Sequence, residues 1–236
     1  MLDALRVIRY SLKDLWDEFV LLIMLNLFWT FAAALPLAPF FFLPTSASLI
    51  LILGLTLLLL LPLPIVSAGI CFVTNQITRG RAVDLGTFVR GARRYWLKAL
   101  AVAGINLVVL VLIASNLQFY AVVLEGAWTN IALAIWLVVG LYWLVAQLYW
   151  FPMLLELEEE KVLIALRNAL VLIVVAPVFS LALALFVLIL ALACILLTVP
   201  AVLVMACLLL LVVNHATRSR LAAARKEPYR PGAPKA

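Results

Sequence analysis

Apolar residues run through this chain in blocks too long for the core of a small soluble domain, and short polar stretches separate them at regular places. A helix that crosses a bilayer needs about 20 mainly apolar residues. Blocks that read as crossing helices lie at residues 19–42, 49–78, 99–117, 131–154 and 177–197, and a sixth follows the turn at Thr198-Val199-Pro200 and runs to about Val213. The alternative for the last two is one helix kinked at Pro200, roughly 57 Å long and too long for a single crossing. The second block would span about 45 Å as a straight helix. Pro62 and Pro64 interrupt it, followed by Ser67 and Gly69, so a kinked, tilted or partly unwound helix is expected there.

Between the blocks the periodicity becomes amphipathic. The first eighteen residues have this character. Asp84 suits an N-cap, and Leu85, Phe88, Val89, Ala92 and Trp96 then recur at helical spacing with Arg90, Arg93, Arg94 and Lys98 on other faces. This pattern predicts an interfacial helix docked through its Phe88 and Trp96 side, with Arg90, Arg93 and Arg94 on the anionic headgroups. Glu156, Glu158, Glu159, Glu160 and Lys161 are expected to open a second such helix, the carboxylates favouring its first turn through the dipole. Tyr142, Trp143, Tyr149, Trp150 and Phe151 read as an aromatic girdle at the end of the fourth block.

The fold expected is therefore all-α: a polytopic membrane bundle of six transmembrane helices with cytoplasmic interfacial amphipathic helices. Residues 1–215 form the membrane domain. Residues 216–236 form a basic tail with no apolar periodicity after Ala224, so its end is expected to be disordered.

Composition agrees with this picture. The chain is 68% apolar and 12% charged, against about half and a quarter in soluble domains. The charge pattern adds orientation. All 17 Lys and Arg fall in four clusters, at residues 6–13, 79–98, 161–167 and 218–235. The loops near residues 44, 125 and 198 contain none. By the positive-inside rule both termini face the cytoplasm. The net charge of +6 then matches anionic lipid rather than nucleic acid, which needs a folded basic surface with base-reading groups. The start resembles a signal peptide, but Asp14, Asp17 and Glu18 directly precede the apolar run and argue for an uncleaved first helix.

Candidate chemistry is sparse. Cys71, Cys194 and Cys207 sit inside apolar blocks without metal-like spacing and read as buried hydrophobes. No catalytic, metal or cofactor constellation is apparent. No charged residue lies at mid-membrane depth, which argues against a proton-coupled pump. Asn26, Asn106, Gln147 and Ser180 remain, and polar groups of this kind hydrogen-bond helices together. The competing reading unwinds residues 61–69 so that Ser67 faces a polar cavity with Asn26 or Asn106. His215 reads as an interfacial side chain with no carboxylate, Cys or second His beside it.

A weak repeat runs through the sequence. Lys13, Trp16, Asn26 and Leu27 recur as Arg93, Trp96, Asn106 and Leu107, and Arg167, Ser180 and Leu181 keep the basic-to-polar spacing. Each copy would be an interfacial helix followed by a hairpin, all in one orientation.

Several short motifs carry a resemblance. Asn26-Leu27-Phe28-Trp29, Leu63-Pro64-Ile65-Val66-Ser67-Ala68-Gly69, Phe72-Val73-Thr74-Asn75, Arg79-Gly80 and Phe88-Val89-Arg90-Gly91 resemble the YesL-like family of bacterial integral membrane proteins. Residues 116–120 and 149–152 also look like stretches of its relatives, so the resemblance covers most of residues 1–215. About 30 residues separate the first two motifs, longer than in compact members. The resemblance implies a bacterial plasma membrane protein of no established activity, associated with carbohydrate uptake and partnered by a membrane protein such as a sugar transporter. It supplies no functional residues.

The function expected is a non-enzymatic accessory or scaffold protein. The runner-up is a small-solute transporter or channel, which the Pro62/Pro64 break would serve, since discontinuous helices often build binding sites. A membrane enzyme comes third, for want of any paired catalytic groups.

Overall fold

The amphipathic start of the chain folds as helix α1, Leu2–Asp17. The computed structural model describes residues 2–44, 48–122, 126–227, 229 and 231, and every described element is helical. The first apolar block holds α2 (Phe19–Ala34), a short 3₁₀ turn and α3 (Ala38–Phe42). The second holds α4 (Leu49–Leu60) and α5 (Pro62–Thr78). Then come α6 (Leu85–Val122), α7 (Ala127–Glu156), α8 (Val162–Val175), α9 (Pro177–Leu197), α10 (Val199–Leu203) and α11 (Met205–Ala224).

Among the described residues, five helical stretches are long and apolar enough to cross a membrane: Phe19–Phe42, Leu49–Thr78, Leu85–Val122, Trp128–Glu156 and Pro177–Leu197. Their outer faces are bare hydrocarbon. Phe42, Ile50 and Leu196 are each more than four-fifths exposed, and α4 buries no residue at all. Apolar surface on this scale is costly in water and costless in lipid. The chain is a polytopic membrane protein. At 14 residues α8 reaches only about 21 Å.

The fold divides into two compact units. Met1–Leu100 with Ala182–Ala236 form the first, and Ala101–Leu181 the second. In the first, α2, α5 and α11 share a core of Leu22, Leu25, Ile70, Val73, Ile77, Cys207 and Leu211. Leucine and β-branched side chains from three helices fill it without a polar atom other than the Cys207 thiol, which donates to the Leu22 carbonyl. In the second, α7 is the hub. Trp143 donates to Asn106 of α6 at 2.9 Å, Tyr142 to the Leu170 carbonyl at 2.6 Å and Trp150 to the Val162 carbonyl at 3.0 Å, both of α8. Tyr149 donates to Ser180 of α9 at 3.2 Å. On α8 the buried Ala165 and Ala169, four apart, keep that face small enough for close packing.

Several expectations are corrected here. The separate interfacial helix over residues 85–98 does not exist: α6 continues unbroken into the crossing segment, with no proline from Leu85 to Val122 to interrupt its backbone hydrogen bonds. Phe88 is turned into the protein, stacking on Phe28 with centroids 6.1 Å apart, while Trp96 stays exposed. Trp143, Tyr149 and Trp150 are buried rather than arrayed as a girdle, since α7 spends their polar atoms on its neighbours. Glu156 ends α7, and Glu158, Glu159 and Glu160 precede α8 in a loop instead of forming its first turn, with Glu160 at positive φ. The turn at Thr198 has positive φ, but a five-residue helix and a second break at Val204 follow it. The boundary drawn between 215 and 216 falls inside α11, with Ala216 and Thr217 fully buried. The loop residues 45–47 and 123–125 and the tail end 232–236 lie outside the described residues.

The basic segments that the sequence repeat pairs fold differently: α1 and α8 are short helices broken from the next at Glu18 and Ala176, whereas residues 85–98 are continuous with the rest of α6.

Candidate functional site

Of the polar positions that stand out in the sequence, Asn26, Ser67, Asn106 and Ser180 are tied to another helix, whereas Gln147 donates to the Trp143 carbonyl of its own helix. Asn26, fully buried, sits beside the break between α10 and α11. In an unbroken helix the Ala206 and Cys207 N–H groups would bond carbonyls one turn back; at Val204 the backbone leaves helical geometry. Asn26 fills the gap. Its Nδ2 donates to the carbonyls of Val202 at 2.7 Å and Ala201 at 3.2 Å. Its Oδ1 accepts from the N–H groups of Ala206 at 2.8 Å and Cys207 at 3.3 Å. Ser67 accepts from Trp29 Nε1 at 3.0 Å. Asn106 accepts from Trp143. Ser67 and Asn26 are thus bound separately, and Asn106 is held within the second unit.

The backbone beside Ser67 is a kink and not an unwound stretch. Leu61 keeps helical dihedrals, φ −58° and ψ −36°, and its N–H bonds the Leu58 carbonyl at 3.3 Å in a tightened turn. Pro62 and Pro64 fall at the start of α5, where missing N–H groups cost nothing.

Arg90, Arg93 and Arg94 are all exposed. Arg90 donates to the Thr87 hydroxyl at 2.8 Å and lies 3.6 Å from Asp84. Arg94 lies over the Tyr95 ring. Asp84 caps α6, accepting from the Thr87 hydroxyl and N–H at 2.6 Å each. Those bonds, the hydroxyl's first, hold its carboxyl below the usual carboxylate range.

The polar end of α11 was largely missed by sequence reasoning. Asn214 donates to Thr74 at 3.0 Å and accepts from Asn75 at 3.3 Å, stitching α11 to α5 inside the first unit. Arg218 donates to the carbonyl of Thr78 at the end of α5. His215, far from being alone, is completely buried against α1: its Nε2 lies 2.8 Å from Asp14 Oδ2. Its Nδ1 faces the Tyr229 hydroxyl. Nε2 donating to Asp14 and Nδ1 accepting from the Tyr229 hydroxyl satisfies both contacts. With both ring nitrogens engaged, His215 acts as a tie between α1, α11 and the tail and has no free nitrogen for a substrate.

Two matched stripes make this arrangement. Arg6, Tyr10 and Asp14 fall four apart on α1, as do His215, Ser219 and Ala223 on α11, and side chains four apart share a helix face. Asp14 meets His215, while Arg6 and Tyr10 meet Ser219 and Ala223, so the helices run antiparallel. After Ala224 the chain turns back. Lys226 takes positive φ, its N–H bonds Ala223 and the Glu227 N–H bonds Ala222, closing the helix as a Schellman motif. That reversal returns Tyr229 to His215 and borders a partly open pocket of about 300 Å³ lined by Arg6, Tyr10, Ser219, Arg220, Ala223, Glu227 and Tyr229. Arg6, Arg220 and the Tyr10 and Ser219 hydroxyls give it donors for an oxyanion, opposed by the Glu227 carboxylate. The helical spacing of Arg6, Tyr10 and Asp14 was the available signal; the partner, some 200 residues away, was not visible from it.

Among the described residues no group of three or more His, Cys, Asp or Glu is placed to hold a metal. No family model, curated protein or solved structure matches the chain.

Proposed function

We propose that this polytopic membrane protein is a non-enzymatic accessory or scaffold protein of a bacterial plasma membrane. The observation that carries this reading is the use made of its intramembrane polar groups: Asn26, Ser67 and Asn106 each bond another helix. Groups committed in this way hold a bundle together and leave a solute path unlined. The transporter reading loses the feature that favoured it, since Leu61 stays helical and Ser67 is bound to Trp29. The resemblance to YesL-like proteins suggests a partner such as a sugar transporter.

The topology proposed has six crossings, α10 with α11 supplying the sixth, and both termini cytoplasmic. The His215–Asp14 and Arg218–Thr78 bonds support it by gathering the ends of α1, α5 and α11, with three of the four basic clusters, in one place. Cysteine labelling in a background lacking Cys71, Cys194 and Cys207 tests it. Ser46→Cys and Glu125→Cys should react from outside, and Arg81→Cys and Glu159→Cys should not; external labelling at Arg81→Cys would reverse the orientation. For the role itself, the tagged chain is purified from native membranes and reconstituted in liposomes. A membrane protein retained in fixed ratio without solute flux is expected. Saturable flux by the chain alone would replace this reading with transport.

A further inference from the structure

We propose that the cavity between α1, α11 and the returning tail is a binding site for a phosphate-bearing anion. The cavity's chemistry and its position both point this way. Arg6 of α1 and Arg220 of α11 both line one volume of about 300 Å³, so two cationic side chains from different helices border it. Arginine is suited to phosphate because its planar fork can give two parallel hydrogen bonds and its charge is permanent. Ser219 and Tyr10 add hydroxyls that can donate to further phosphate oxygens, while the Tyr229 hydroxyl faces His215. The walls are fixed rather than adventitious. Asp14 and His215 pin α1 to α11 at the closed end, Tyr229 is held by His215, and the Schellman turn sets where the tail crosses. Ligand sites with pre-formed walls bind without having to order them first.

Glu227 sets the charge balance. One carboxylate against two guanidinium groups leaves a net cationic cavity, suited to a singly charged diester or a small phosphomonoester better than to a cation. The site also lies where the ends of α1, α5 and α11 meet, beside basic clusters that mark a headgroup-facing surface. The same phosphate chemistry is offered by an anionic lipid headgroup and by a free phosphate compound, and the experiment separates them.

The full chain is reconstituted in phosphatidylcholine nanodiscs. One arm titrates glycerol 1-phosphate and inorganic phosphate by calorimetry. The other adds phosphatidylglycerol to the discs and measures lipid retained by native mass spectrometry. Saturable binding is expected in at least one arm, and the arm that responds identifies the source. Arg6→Gln and Arg220→Gln should each weaken it by about tenfold. Arg225→Gln, exposed beyond the cavity, should not. Glu227→Gln should tighten binding, and because this variant removes a repulsion without deleting a wall it stays informative if an arginine variant fails to fold. No saturable binding in either arm would overturn the proposal. So would equal loss in Arg225→Gln, which would indicate diffuse surface charge, or weaker binding in Glu227→Gln.

Discussion

Replacing Asn26 by leucine removes one side chain and strands four backbone groups. Leucine keeps the branch at Cγ but is the larger side chain, so at this buried site some overpacking adds to the loss of the hydrogen bonds. Nδ2 serves Val202 and Ala201, and Oδ1 serves Ala206 and Cys207. Interhelical hydrogen bonds in membranes average about 0.6 kcal/mol each, which gives roughly 2 kcal/mol for the set. Counting instead the two stranded N–H groups, at about 1–3 kcal/mol for each buried unmet donor, gives roughly 2–6 kcal/mol. The carbonyl of Val202 keeps a weak 3.4 Å bond from Thr30 and so adds little to that range. The expected loss is about 2–4 kcal/mol. The assay is reversible unfolding in mixed detergent micelles, followed by far-ultraviolet circular dichroism. Asn116→Leu is the reference, because Asn116 bonds only Leu112 of its own helix and should change stability by less than about 0.5 kcal/mol. A loss for Asn26→Leu no larger than for Asn116→Leu would refute the reasoning. It would mean that α10 and α11 close into one regular helix once the asparagine is gone, so that the break is imposed by Asn26 rather than repaired by it.

Gly91→Ala and Gly104→Ala gain the same helix propensity on the same helix but differ in surroundings. A Cβ at Gly91 would lie 2.7 Å from Phe72 Cβ, an atom no rotamer can move, whereas Gly104 meets nothing within 4 Å. Gly91→Ala should be less stable than Gly104→Ala by about 1–3 kcal/mol in the same unfolding assay, and equal stabilities would show that α5 and α6 part freely. Lys226→Gly should raise the melting temperature modestly, since glycine holds the positive φ of 57° without the penalty of a side chain, worth about 1 kcal/mol; a lower melting temperature would deny the Schellman turn its role. Asp84→Ala should destabilise the protein at neutral pH. Because the folded carboxyl titrates below its unfolded value, its contribution is present above about pH 4 and is lost as pH falls through the folded pKa. The gap between wild type and Asp84→Ala in melting temperature should therefore close on acidification, and a gap constant with pH would discount the charged cap.

The sequence by itself determined the class of protein and the limits of most helices. Crossing helices are local objects: about 20 apolar residues in a row satisfy their own backbone and need no partner to be recognised. Asp84 as a cap and Asn26 as interhelix glue were legible for the same reason, since capping and intramembrane polarity follow from residue type and depth. Tertiary structure decided what faces what. Phe88 and Trp150 are as suited to lipid as to a core, and only the neighbours Phe28 and Val162 turn them inward. The cavity is the extreme case. Its walls come from α1 and α11, at opposite ends of the chain, and from a tail that reads as unstructured until the turn at Lys226 returns Tyr229 to His215. Periodicity can place Arg6, Tyr10 and Asp14 on one face, but it cannot say which distant helix will meet that face. That choice is made by the shared core of α2, α5 and α11, which fixes where the polar end of α11 comes to lie.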